Sequence, residues 1–215
     1  TRKESSAASD VYKRQEYNVA IAKEGLKNDW GANIGSIILD MSPESQYEKL
    51  AAYAAAGSDA RMSGCEMPVI INSGSGNQGI TTAVPVIIYA NDNNKPKEEL
   101  YRALIFANLM SLYIKEGIGK LSAYCGVVSA ATASIAGIAF LNNDPKEIIE
   151  GMISNSLATN SGIICDGAKA SCASKIASSV RNASLSYRQA LANQDFEVYD
   201  LSLIHISEPT RLLSI

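Results

Sequence analysis

Apolar residues recur along most of this chain at spacings of three and four, the period of helices with one buried face, and strict alternation is nearly absent. Residues 17–28 read as a short helix and 31–35 as a turn. Ile37, Ile38 and Leu39 form a brief apolar run that suits either a strand or a helix. Ser42-Pro43 offers an N-cap and a first-turn proline, so a helix is expected from there through the alanine-rich AAYAAAG to a stop near Gly57. A short apolar run, 67–72, leads into a glycine-rich loop, and 81–90 is apolar again with Pro85 opening or kinking a helix. Residues 97–117 carry Leu100, Leu104, Ile105, Leu109 and Leu112 at helical spacing, with Gly117 as a stop. Their apolar residues cover several faces, so a buried position is expected.

Residues 121–143 contain no charge. The length invites a membrane span. Ser122, Gly126, Ser129, Thr132, Ser134 and Gly137 make it only weakly apolar, so the expectation is a central buried helix with close neighbours. Asp144-Pro145-Lys146-Glu147 has capping-box spacing, and Ile148, Ile149, Met152, Ile153 and Leu157 form the inner face of the helix it starts. Ser161-Gly162 ends that helix, and another is expected from about residue 166 to 193. The expected class is all-α: several helices packed around a buried hydrophobic central one.

The chain has 215 residues, 47% of them hydrophobic and 19% charged, with a formal charge of −3. That is a globular composition with enough apolar residues for a core and no basic stripe for nucleic acid. No membrane partner is expected either. Residues 1–15 and 201–215 resemble translated sequencing-adapter read-through and are expected to be artefacts, leaving 16–200 as a fragment of a longer domain. The single histidine, His205, falls in the second tail, which disfavours triad chemistry carried within 16–200.

Two motifs carry candidate chemistry. Ser73, Gly74, Ser75, Gly76, Asn77, Gln78 and Gly79 satisfy G-x-G-x-x-G after an apolar run. A dinucleotide fingerprint needs a second strand ending in an acidic residue. Asp92 lies at a tolerable distance but in a polar turn, and no second βα unit is visible. Closely spaced glycines before a helix suit a smaller anion, such as a carboxylate; a purely structural turn is the alternative. The second motif is cysteine. Cys125, Cys165 and Cys172 are forty and seven positions apart, with small residues beside the first two. Three thiolates can hold an iron–sulfur cluster with one iron open to a substrate. Cys165 is expected near a helix N-terminus, with Cys172 two turns on along the same face. Disulfides, structural zinc and inert buried thiols compete; the lack of a C-x₂₋₄-C pair opposes zinc, and Cys65 stands outside the trio.

The run Asn72 to Ile80, Cys125-Gly126, Cys165-Asp166-Gly167-Ala168-Lys169 and Cys172 together resemble the serine dehydratase α-chain-like family, and within it the branch of L-cysteine desulfidases. The resemblance covers essentially all of 16–200. It implies a mostly helical catalytic domain and an oxygen-sensitive 4Fe–4S cluster held by Cys125, Cys165 and Cys172, without pyridoxal phosphate. It implies β-elimination from a small amino-acid substrate: cysteine to pyruvate, ammonia and hydrogen sulfide, or serine to pyruvate and ammonia. The glycine loop would hold the substrate carboxylate. Lys169 and Asp166 are candidates for charge balance, proton handling or the substrate amine. The family's N-terminal portion, with a cysteine proposed as its base, is missing, so this stretch alone is not expected to be fully competent. A cytoplasmic enzyme follows, with homo-oligomerisation open. The competing classes are a nucleotide-dependent oxidoreductase and a non-catalytic helical interaction domain.

Overall fold

A computed structural model describes residues 11, 14–119, 122–165 and 167–196. The fold is all-α. A π-turn at Arg14–Asn18 leads into α1 (Val19–Lys27), followed by α2 (Ile34–Met41), α3 (Gln46–Met62), α4 (Gly76–Asp92), α5 (Lys97–Ile118), α6 (Gly126–Leu141), α7 (Lys146–Asn160) and α8 (Cys172–Leu191). Among the described residues the only β-type pairings are two isolated bridges, Asn72 with Ser75 and Tyr124 with Ile164.

Helix α6 is the centre. It packs on α4, α5, α7 and α8, and nearly all of its residues are buried. Its alanines, serines and glycine explain why: small side chains let four neighbours approach one axis. A Cβ on Gly137 would meet Ala107 Cβ at 2.9 Å. The uncharged stretch is therefore a core helix. Among the described residues, no helix is long and apolar enough to cross a membrane.

Several boundaries differ from the sequence expectation. Helix α3 starts at Gln46, not at Ser42-Pro43. Ser45 is its N-cap and accepts from Glu48 N–H, whereas Ser42 terminates α2. The S-x-x-E spacing of Ser45 and Glu48 outweighs the proline signal. Helix α3 also runs past Gly57, which is buried inside it. A Cβ there would meet Ile80 Cγ2 at 3.0 Å, so Gly57 serves close packing and not termination. Asp144 does not cap α7; it accepts from the Tyr187 hydroxyl. Asn142 Nδ2 donates to Tyr89 Oη (2.9 Å) and Tyr187 Oη (3.2 Å). The turn after α6 is thereby tied to α4 and α8.

Helix α5 is not buried on all sides. Leu109 is 62% exposed and Tyr113 74%, with Ile105 and Leu112 also outward. Only Leu100, Ala103, Leu104, Ala107, Ser111 and Ile114 face the core. The periodicity was wide enough to suggest full burial, but the neighbours cover one stripe.

Asp59 is 1% exposed and accepts from the N–H groups of Ala32 (3.4 Å) and Ile34 (2.8 Å), tying the start of α2 to α3. Asp59→Ala leaves both donors without that acceptor, so unfolding free energy falls by about 1–3 kcal/mol. A urea midpoint that does not move would show that water replaces the carboxylate there.

Candidate active site at the N-termini of α4 and α6

Two short extended segments cross just before α6. Cys125 N–H donates to Ile163 O (2.8 Å) and Cys165 N–H to Ala123 O (2.7 Å), flanking the Tyr124–Ile164 bridge. In an antiparallel pair this places residues 125 and 165 on one face as diagonal neighbours. The Cys165 thiol lies near enough to act electrostatically on Cys125, and it donates to Gly167 O at 3.7 Å. Two of the three candidate sulfurs, forty positions apart in sequence, are thus brought together by backbone pairing.

The third sits differently from expectation. Helix α8 begins at Cys172, so Cys165 lies in the extended segment and not at a helix N-terminus. Gly167 has a φ of +115°, a conformation that interrupts any helix entering from Cys165. Cys172 itself occupies the first position of α8, and its sulfur accepts from Lys169 N–H at 3.4 Å. Cys125 is the N-cap of α6. The sulfurs that meet a helix N-terminus are therefore Cys125 and Cys172. Cys65 is half-buried and packs against the main core. Among the described residues, no three His, Cys, Asp or Glu side chains close around one point as a mononuclear site requires.

Burial pushes the Cys125 thiol up to about 11, reinforced by the neighbouring Cys165 thiol; an N–H from Val127 and the charge of Lys175 act in the opposite direction. Lys175, from the first turn of α8, donates to Ile164 O at 2.9 Å. It is the cation felt by Cys125. Lys169 is exposed, and Asp166 lies outside the described residues.

The glycine loop divides into two parts. Ser73 and Gly74, at φ +49° and +80°, form the tip of a tight turn closed by Asn72 and Ser75. Gly76, Asn77 and Gln78 are the buried first turn of α4. The first intrahelical bond runs from Gly79 N–H to Ser75 O (3.1 Å), so the N–H groups of residues 76–78 point off the helix end. A Cβ on Gly79 would lie 1.9 Å from Ile70 O, which fixes glycine there for packing. No βα unit surrounds this loop, and Asp92 pairs with Lys49 (2.7 Å). Asp92 is thus engaged elsewhere, which opposes the dinucleotide alternative.

The loop and the Cys125 segment are neighbours. The Gln78 amide lies against Gly126: a Cβ on Gly126 would meet it at 2.7 Å. On the other side, Arg61 from the last turn of α3 donates from Nη1 to Asn77 Oδ1 (3.0 Å), and a Cβ on Gly76 would lie 2.3 Å from its Nε. Neither Arg61 nor Lys175 was visible as a site residue in the sequence. Both come from elements that carry no motif and reach the site only by tertiary packing. A groove of about 870 Å³ also opens at Cys125, walled by Val128, Ile153, Leu157 and Ile163 with Asn160 among them.

Among the described residues the fold is all-α, and the site gathers thiols at two helix N-termini. The chain is a member of the serine dehydratase alpha chain family, whose model matches residues 3–204; this is a serine dehydratase-like lyase family. It is similar to UPF0597 proteins. The one from Desulfitobacterium hafniense is 51% identical over 184 residues, 86% of this chain and 43% of that protein. The one from Finegoldia magna is 50% identical over 183 residues, 85% and 44%. A Bacteroides fragilis protein is 40% identical over 182 residues, 82% and 42%. The chain thus spans less than half the length of these relatives. No solved structure matches it.

Thiol chemistry follows from this geometry. Cys125 and Cys172 are 2% and 4% exposed, while Cys65 and Cys165 are half-buried. At pH 7.5, with no metal bound, iodoacetamide modifies Cys65 and Cys165 first. A thiol titrating near 11 stays protonated at that pH, so Cys125 labelling accelerates as pH rises toward 10. Peptide mass spectrometry of timed aliquots checks the order; early labelling of Cys125 at neutral pH would contradict it.

Proposed function

We propose that this chain is the cluster-bearing part of an iron–sulfur-dependent β-elimination lyase acting on a small α-amino acid, L-cysteine by preference. The products are pyruvate, ammonia and hydrogen sulfide. The observation that carries this reading is the backbone pairing that sets Cys125 and Cys165 on one face, with Gly126 against the first turn of α4. The donor set suits a 4Fe–4S cluster. It consists of thiols alone, two of them at helix N-termini where negative charge is favoured. Cys125, Cys165 and Cys172 would hold the cluster. When bound, it supplies a Lewis-acidic iron with an open position for the leaving group of the substrate.

The chain's own residues do the rest. The N–H groups of Gly76, Asn77 and Gln78, with Ser73, Gly74, Ser75 and Gly79 shaping the turn, seat the substrate carboxylate. Lys175 offsets thiolate charge near Cys125. Lys169 presents its backbone N–H to the Cys172 sulfur, and with Asp166 it remains assigned to charge balance on this side. Val128, Ile153 and Leu157 keep water from the Cys125 end of the groove. The base that removes the Cα proton is assigned to the portion of the full-length protein beyond this chain. A second reading, L-serine dehydratase, is favoured by the description of the matching family. It differs only in the leaving group, hydroxyl in place of thiol. A homo-oligomer is compatible with the outward apolar face of α5.

Anaerobic reconstitution of the purified chain gives about four iron and four acid-labile sulfide per chain and a broad visible band; absence of iron in a folded chain would remove the lyase reading. In the full-length protein, Cys125→Ser loses both cluster and turnover. A brown, active Cys125→Ser protein takes Cys125 out of the ligand set. Assay of the full-length protein for sulfide and pyruvate yields more product from L-cysteine than from L-serine, and the opposite preference selects the second reading.

A further inference from the structure

We propose that Arg61 and Gln78 form a clamp for the two charged ends of an amino-acid zwitterion. Arg61, with the first-turn N–H groups of α4, takes the α-carboxylate. Gln78 Oε1 takes the ammonium. The amino-acid identity of the ligand rests on the lyase reading; the two polar anchors rest on geometry.

Arg61 lies against the positive end of α4, held by Asn77 Oδ1 and by contact with Gly76. Among the described residues no carboxylate pairs with it. A cation beside a helix N-terminus sets like signs together. That arrangement is unfavourable alone and favourable once an anion lies between them. A guanidinium also presents a planar fork that matches a carboxylate.

Gln78 supplies an independent pointer. It is 9% exposed, and its Oε1 is buried with no hydrogen-bond donor. A buried acceptor without a donor is costly, and an ammonium group satisfies it. The amide lies on Gly126, next to Cys125. The order Arg61, Gly76 and Asn77, Gln78, Gly126, Cys125 therefore runs from a carboxylate anchor through an amine acceptor to the cysteines. A ligand spanning it is a small α-amino acid with its side chain directed at Cys125. Glycine at 76 and 126 is what lets both polar side chains lie flat at these points.

The test is titration of the purified metal-free chain, under reducing conditions, with three probes: L-cysteine, cysteamine (no carboxylate) and 3-mercaptopropionate (no amine). L-cysteine binds at least about tenfold tighter than either analogue, the effect of one charge-assisted hydrogen bond. Arg61→Gln abolishes the advantage over cysteamine and keeps that over 3-mercaptopropionate. Gln78→Met does the reverse. Arg61→Lys retains part of the carboxylate preference, and Gly126→Ala, which displaces the Gln78 amide, mimics Gln78→Met. Thermal melts identify any variant that fails to fold, in which case the conservative Arg61→Lys and Gly126→Ala pair decides. A wild-type chain that does not discriminate among the probes overturns the clamp. So does an Arg61→Gln chain that weakens all three equally, as a structural role would. Iron and sulfide content is measured separately. A chain that shows the ligand pattern without iron keeps the clamp and loses the lyase reading, and a chain that holds iron without the pattern does the opposite.

Discussion

The bonds from Cys125 N–H to Ile163 O and from Cys165 N–H to Ala123 O join two segments that have no other reason to meet. One precedes the central helix α6, and the other follows α7. Because pairing of extended backbone fixes which side chains share a face, these two bonds decide that the thiols of Cys125 and Cys165 point to the same place. After Gly167, a turn closed by Cys172 N–H to Lys169 O (2.9 Å) leads into α8, whose first residue is the third cysteine. In a chain built of helices, a single bridge sets the position of the chemistry.

That bridge is held in place by the core beneath it. Small residues let α6 sit at the centre of four neighbours, and the same smallness lets Gln78 press on Gly126 at its N-terminus. Close packing of α4 on α6 is thus a packing solution and a site-building one at once. It brings the N-terminal ends of α4 and α6 against each other. A larger residue at position 126 or 137 would disturb both.

The helical class and the central helix were legible because composition and period agree over long stretches: 121–143 lacks charge, and the heptad-like spacing in 146–157 is regular. Boundaries were less legible where two local signals competed, as Ser42-Pro43 did with the Ser45–Glu48 capping pair. Gly57 was misread as a stop because sequence does not reveal that α1 and α4 approach it. The outward face of α5 was misread for the same kind of reason, since periodicity shows how wide an apolar stripe is but not how much of it has a neighbour. In the site, motif spacing located the cysteines and the glycine loop. It did not place Cys172, rather than Cys165, at a helix start, which depends on the φ of Gly167. Arg61 and Lys175 carry no motif, so only the folded chain joins them to the loop and to the thiols.

Electrostatics ties these parts into one argument. The first turn of α4 presents unpaired N–H groups beside Arg61, while the Val127 and Val128 N–H groups at the start of α6 are taken up by Cys125, whose thiol also feels the charge of Lys175. Burial meanwhile holds Cys125 in its protonated form. Positive sources gathered around protonated thiols are mutually repulsive and stabilise nothing by themselves. Deprotonating the thiols, as metal binding does, supplies negative charge on the α6 side, and a carboxylate supplies it on the α4 side. The arrangement therefore becomes favourable as thiolates form on the α6 side and an anion binds on the α4 side. This electrostatic complementarity ties both charges to the positions of two helix ends and two cations.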